Sequence, residues 1–181
     1  MIRPTLIHKP KDHKQYVLFL CILVALIGLS ACQPTEMVLP FDTIEQRDAA
    51  GTGQVYRDKQ PGLMVITTLD EADDLDGLVT PEGQAQLRSL NYKAYFVIAA
   101  FQGRKPTTRY EIQIERITRR ENEVTIYARF SEPKPDEEKA PEETSPYHLV
   151  QVQKTGAWGQ PITFNLVSGN ARVTSLSHHV P

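Results

Sequence analysis

The sequence predicts an α+β domain made mainly of antiparallel sheet, curled or sandwich-like, with one or two short helices. Three observations predict it. Residues 93–101, Lys-Ala-Tyr-Phe-Val-Ile-Ala-Ala-Phe, are apolar on both alternating faces, the pattern of a strand covered on both sides. Residues 110–117 and 124–130 alternate apolar and polar around Arg119-Arg120-Glu121-Asn122, the pattern of a long hairpin. Two helix starts carry cap chemistry, Thr68 with Glu71 and Thr80 with Pro81.

Taken in order, the chain opens with an address. Arg3, Lys9, Lys11 and Lys14 precede an apolar run at 17–29 that ends in Leu29-Ser30-Ala31-Cys32. That run is short against the roughly 20 residues of a permanent span. Small residues before a cysteine resemble the bacterial lipobox, so residues 1–31 are expected to be a lipoprotein signal peptide and Cys32 the lipidated residue. An uncleaved signal anchor is the alternative. The expected location is the cell envelope, outside the cytoplasm, held by the lipid on Cys32. Two or three acyl chains hold firmly where one does not, at about 0.8 kcal/mol per buried CH₂. Cleavage also removes Cys21, so the mature chain has no free thiol. It loses Arg3, Lys9, Lys11, Lys14 and Asp12, and a net charge of −2 becomes −5. That balance gives no reason to expect nucleic acid as partner, or attraction to an anionic bilayer.

Residues 32–50 are expected to be the lipidated N-terminus and a tether, and 51–181 the single β-rich domain. Pro61-Gly62 between 54–56 and 63–66 predicts a hairpin. Leu69, Ala72 and Leu75 line one side of the first short helix, and Gly77 ends it. The acidic crowd from Glu71 to Asp76 lacks the ligand spacing of an EF-hand and reads as a solvated face. Leu87 and Leu90 point the second helix inward.

After the central strand, Gln102-Gly-Arg-Lys-Pro-Thr-Thr-Arg109 is a polar loop. Residues 131–145 are acidic, hold Pro133, Pro135 and Pro141, and have almost nothing to bury, so they form an exposed loop. Its acids either meet the basic side chains of neighbouring loops or simply solubilise the surface. Three more strands follow, at 146–154, 162–166 and 172–176, with turns at 155–161 and 168–170. Trp158, alone between small residues, either caps the core or anchors a partner.

Phe101-Gln-Gly-Arg-Lys-Pro-Thr-Thr-Arg-Tyr110, Ile112-Gln-Ile114 and Thr144-Ser-Pro-Tyr-His-Leu-Val150 resemble the PrcB C-terminal family. The resemblance covers roughly residues 94–154. It implies an extracytoplasmic β-rich module, of the kind found in a lipoprotein subunit of a bacterial surface protease complex. The family loop usually reads Pro-Thr-Gly-Gly-Tyr, and here Thr108 and Arg109 replace the two glycines. A loop that needs positive φ resists such a change, so a loop of altered shape is expected.

No phosphate loop or nucleophile elbow is present, and no Cys/His spacing suits zinc. His148 reads as a partly buried strand histidine, and His178 and His179 as a loose tail. Catalytic residues, metal and cofactor are therefore not expected, and neither is enzymatic activity; a convergent histidine, acid and hydroxyl would revive it. The expectation is a lipid-anchored accessory module that holds or stabilises a partner protein such as a secreted protease. The residues expected to contact it are Lys105, Pro106, Thr107, Thr108, Arg109, Tyr110, Arg119 and Arg120, and a sheet edge can accept a strand as well. The alternative is a protease inhibitor acting through the 105–110 loop, because 106–110 also resembles the Asn-Pro-Thr-Thr-Gly-Tyr loop of chagasin-type inhibitors.

Overall fold

A computed structural model describes residues 35–47, 56–137 and 140–181. The leader, Cys32 and the expected strand residues Gln54 and Val55 lie outside them. The described elements are β1 (Met37–Val38), β2 (Phe41–Arg47), β3 (Gly62–Ile66), α1 (Leu69–Ala72) with a 3₁₀ turn at Asp73–Leu75, and α2 (Pro81–Ser89). They continue with β4 (Tyr95–Phe101), β5 (Glu111–Arg120), β6 (Glu123–Ser131), β7 (Tyr147–Gln153), β8 (Pro161–Ser168) and β9 (Ala171–His179). No helix among the described residues is long and apolar enough to cross a membrane.

The strands form two open sheets, β1-β5-β6-β8-β9 and β2-β7-β4-β3. Every pairing is antiparallel except β6 with β8. The β-rich class with two short helices stands as expected.

The double apolar face of β4 is explained by a three-layer arrangement. Phe96, Ile98 and Ala100 point between the sheets, where they meet Ile112, Ile126 and Phe164. Val97, Ala99 and Phe101 point outward and are covered by Leu75, Val79 and Leu87 of the helical segment. A strand inside a middle layer must be apolar on both faces.

Three expectations change. The tether does not reach residue 50: Met37 and Val38 pair with Arg119 and Thr118, Leu39 is fully buried, and residues 41–47 pair along β7. A single path thus serves both sheets, changing from one to the other at Leu39-Pro40, a known way to make a sandwich corner. The compact unit accordingly runs from Thr35 to Pro181. The turn expected at Pro61-Gly62 is not formed, since Gly62 is the first residue of β3 and pairs with Phe101 of β4; the other arm of the expected hairpin, 54–56, falls largely outside the described residues. Gly62 is small for a different reason than a turn: a Cβ there would lie 2.0 Å from the Tyr56 hydroxyl, whose ring stacks on Phe101 at 4.5 Å. The histidines at 178 and 179 are not a loose tail but the last two residues of β9, paired with Ile162 and Pro161.

A bulge sets the second half of β5. Ile114 pairs with Ala128 and Arg116 with Tyr127, leaving Glu115 as the extra residue. The inward phase therefore jumps from Ile112 and Ile114 to Ile117, which is fully buried.

Candidate functional site

The loop after β4 is built by close backbone approach. Gly103 has φ 85, and a Cβ there would lie 2.4 Å from the Lys59 carbonyl oxygen. Arg104 N donates to Asp58 O at 2.8 Å from the same side. Beyond it, the loop is zipped to the far end of the acidic segment. Lys105 and Thr144 exchange both backbone hydrogen bonds, at 2.8 and 2.9 Å. Thr144 Oγ1 donates to Thr107 O at 3.1 Å, and Ala140 N donates to Thr108 Oγ1 at 3.0 Å. The expected meeting of opposite charges between the two loops is, among the described residues, a single long pair, Arg104 with Glu143 at 3.8 Å. Backbone bonds hold these loops together more than charge does.

This pinning leaves three side chains on display. Pro106 and Arg109 are exposed, and Tyr110 is half-buried with the Lys105 ammonium 5.3 Å from its ring centroid, within cation–π reach. Arg109 makes no ion pair among the described residues. Its φ is 76, so it keeps the left-handed backbone that a glycine would supply. The replacement of the family glycine therefore has not removed positive φ at this position; the side chain bears it as strain. Arg109 and Tyr110 line a cleft of about 600 Å³ together with Thr108, Arg47, Gln46 and Gln113. Arg47 is held by Glu45 at 3.0 Å, and Gln46 Nε2 donates to Ile112 O at 2.9 Å.

Arg119 and Arg120 are elsewhere. They are strand residues, paired with Val124 and Glu123, and only Glu121 and Asn122 form the turn. Ten residue steps, most of them along β5, separate Arg109 from Arg119, roughly 30 Å at the rise of a strand. The expected contact residues therefore fall at opposite ends of the sheets. Arg119 is also occupied. Its guanidinium lies 3.9 Å from the Trp158 ring centroid and donates to Glu121 O at 2.8 Å and Ala157 O at 2.7 Å. Trp158 in turn packs edge-on against Phe96 at 5.2 Å. Of the two readings of Trp158, the structure takes the core cap.

His148 is buried with both ring nitrogens used. Ile114 N donates to Nδ1 at 2.8 Å, and Nε2 lies 2.9 Å from Thr43 Oγ1. Because a backbone N–H must donate to Nδ1, the ring is neutral with its proton on Nε2. Burial pushes its pKa down to about 4. This histidine ties β5 to the opposite sheet beside the bulge.

Sequence reading missed one convergence. Thr67, Glu71 and His178 meet where α1 starts. Glu71 Oε2 accepts from Thr67 N at 2.6 Å and Thr67 Oγ1 at 3.0 Å, while Oε1 lies 3.4 Å from His178 Nε2. Thr67 Oγ1 is 3.3 Å from that same nitrogen. A relay needs the hydroxyl on one ring nitrogen and the acid on the other. Here both sit on Nε2, so the group is a helix cap. The expected cap stands at Thr68, whose Oγ1 accepts from Glu71 N at 3.3 Å, and the Glu71 carboxylate extends it by one residue to Thr67 N. Burial raises the Glu71 pKa, but the Thr67 hydrogen bonds and His178 outweigh it and the net shift is downward. The spacing of residues 67, 71 and 178 held no signal for this cluster. Among the described residues, no cluster of histidine, cysteine or acid could hold a metal ion.

Fold and site together define a sandwich-like module that presents a pinned, cation-bearing loop at one end. Residues 96–153 match the model of a family described as PrcB C-terminal, which bears out the resemblance carried by the loop and by β7. No curated protein and no solved structure matches the chain.

Proposed function

We propose that the chain is a lipid-anchored, extracytoplasmic accessory module that holds or stabilises a partner protein, such as a secreted protease, through the 105–110 loop. The observation that carries this reading is Arg109. An exposed guanidinium without an ion pair among the described residues sits on left-handed backbone, between a loop tied down at Thr108 and a cleft of about 600 Å³. Backbone strain in a non-glycine residue persists where its surroundings enforce it, and such sites cluster at binding surfaces. The lipid reading rests on the Leu29–Cys32 motif, and the protease reading on the family match at 96–153.

Crosslinking in intact cells followed by identification of the captured protein tests the reading. Capture of one secreted protease, lost in Arg109→Ala, supports it. Arg109→Gly separates the side chain from the backbone, since it keeps φ and removes the guanidinium. No captured protein from a sample lipidated at Cys32 would overturn it. The same preparation decides between stabiliser and inhibitor. A protease whose activity falls when the module is added favours the inhibitor reading, in which the 105–110 loop plugs the enzyme's cleft.

A further inference from the structure

We propose that the end of the domain formed by β1, the β5–β6 turn and the 155–160 loop docks on the bilayer surface, and that the 105–110 loop faces away from it. This rests on the proposed lipid on Cys32, and it adds an orientation that the anchor alone does not specify.

The argument starts from chain length. Only Gln33 and Pro34 stand between Cys32 and Thr35, where the compact unit begins. Three residue steps reach at most about 11 Å. Thr35 opens directly into β1, so the part of the domain nearest a lipidated Cys32 is the β1 edge.

That edge has the surface an interface takes. Val38 is 62% exposed and is one of two large apolar side chains so exposed among the described residues. At the same end is a shallow cleft of about 580 Å³, lined by Thr35, Glu36, Met37, Arg119, Glu121 and Ala157. Arg119 lies over Trp158, and Arg120 is exposed next to it. Val38 offers a short apolar contact and Arg120 an exposed guanidinium, a pair that suits the headgroup level, where the apolar group buries and the guanidinium meets phosphate. Glu36 and Glu121 flank the patch and keep the contact shallow.

The opposite end then follows from β5. Its ten residues carry the chain from Glu111 to Arg120, so the loop that ends at Tyr110 is held roughly 30 Å from the β1 edge. A short anchor at one end and a pinned loop at the other place the loop where a partner outside the bilayer reaches it.

The test uses the full chain, expressed with its leader, purified in detergent and reconstituted into vesicles of phosphatidylethanolamine and phosphatidylglycerol containing a nitroxide-headgroup lipid. Val38→Cys and Ala140→Cys place a single environment-sensitive fluorophore at the two ends. Ala140 is exposed and is bonded to the loop through Thr108. Mass analysis first reports the N-terminus. Strong quenching and a blue shift at Val38, several-fold beyond those at Ala140, are expected. A chain lipidated at Cys32 with equal quenching at both positions overturns the orientation and leaves the anchor standing. Val38 shielded equally with and without vesicles means that a second copy covers the patch, and this also overturns it. A chain without lipid at Cys32 overturns the anchor and the orientation together.

Discussion

Arg109 and His148 show what one residue can impose. Left-handed backbone costs an L-residue about 1–2 kcal/mol, and glycine gives part of that back through its own chain entropy. Arg109→Gly is therefore expected to stabilise the fold by up to about 1 kcal/mol in urea denaturation, and Arg109→Ala to leave stability nearly unchanged. His148 sets a pH dependence. Its folded pKa is about 4, below the ordinary 6.5, so the neutral ring is the form the fold prefers. The stability it contributes is complete above pH 6.5 and is lost as pH falls towards 4, about 3 kcal/mol in all. Protonation of Nδ1 would face it with the Ile114 N–H, which gives the loss a direct structural cause. His148→Asn can keep an acceptor for Ile114 without titrating. Urea denaturation at pH 7 and pH 4.5 is expected to show a drop in the parent that is much smaller in the variant. The stability from the Glu71 carboxylate, whose pKa is also lowered, is complete above the usual carboxylate range and is lost only as pH falls below it.

At the scale of elements, the bulge at Glu115 is the feature on which β5 turns. Deleting Glu115 would restore simple pairing, with Arg116 still opposite Tyr127 and Ile117 still opposite Ile126 on the buried face. The expected loss is therefore well below that of Ile117→Ala, about 2–5 kcal/mol, and a thermal midpoint close to the parent's for the deletion but clearly lowered for Ile117→Ala is the outcome that checks it. Alternation alone predicted β5 and β6 well, because a half-buried antiparallel strand writes its burial in every second residue. It could not predict the bulge, since Ile112, Ile114 and Ile117 change phase without any turn residue to mark the place. Gly62 misled for a related reason. Pro-Gly is turn chemistry, but here the glycine is a strand residue that makes room for Tyr56, six residues back, whose ring stacks on Phe101 of β4. β1 and β2 were read as tether because Pro34 and Pro40 interrupt any period, and their burial comes from pairing with strands far along the chain.

The whole molecule separates what the sequence places side by side. Lys105–Tyr110 and Arg119-Arg120 are close in sequence and alike in charge, yet the length of β5 sets them apart. The family match at 96–153 spans β4 to β7, the inner strands of both sheets, and so includes both ends of β5. It covers these four strands and both of the ends between which they run. Mutations that far apart, with no shared neighbours, act independently. Arg119→Ala removes the stacking on Trp158 and the bonds to two carbonyl oxygens, so it is expected to lower stability by about 1–3 kcal/mol and to shift tryptophan emission. Its effect on partner capture should vanish once the sample is held well below its unfolding temperature. Arg109→Ala should show the reverse, with stability unchanged and capture lost. Arg120→Ala, which removes an exposed strand-end charge, should change neither stability nor capture, while weakening vesicle contact at the β1 edge. Measured side by side, capture and denaturation midpoints across these three variants separate a binding end from a structural one. Capture lost equally in Arg109→Ala and Arg120→Ala would mean that the partner spans the full length of β5, and the single-loop contact would have to be abandoned.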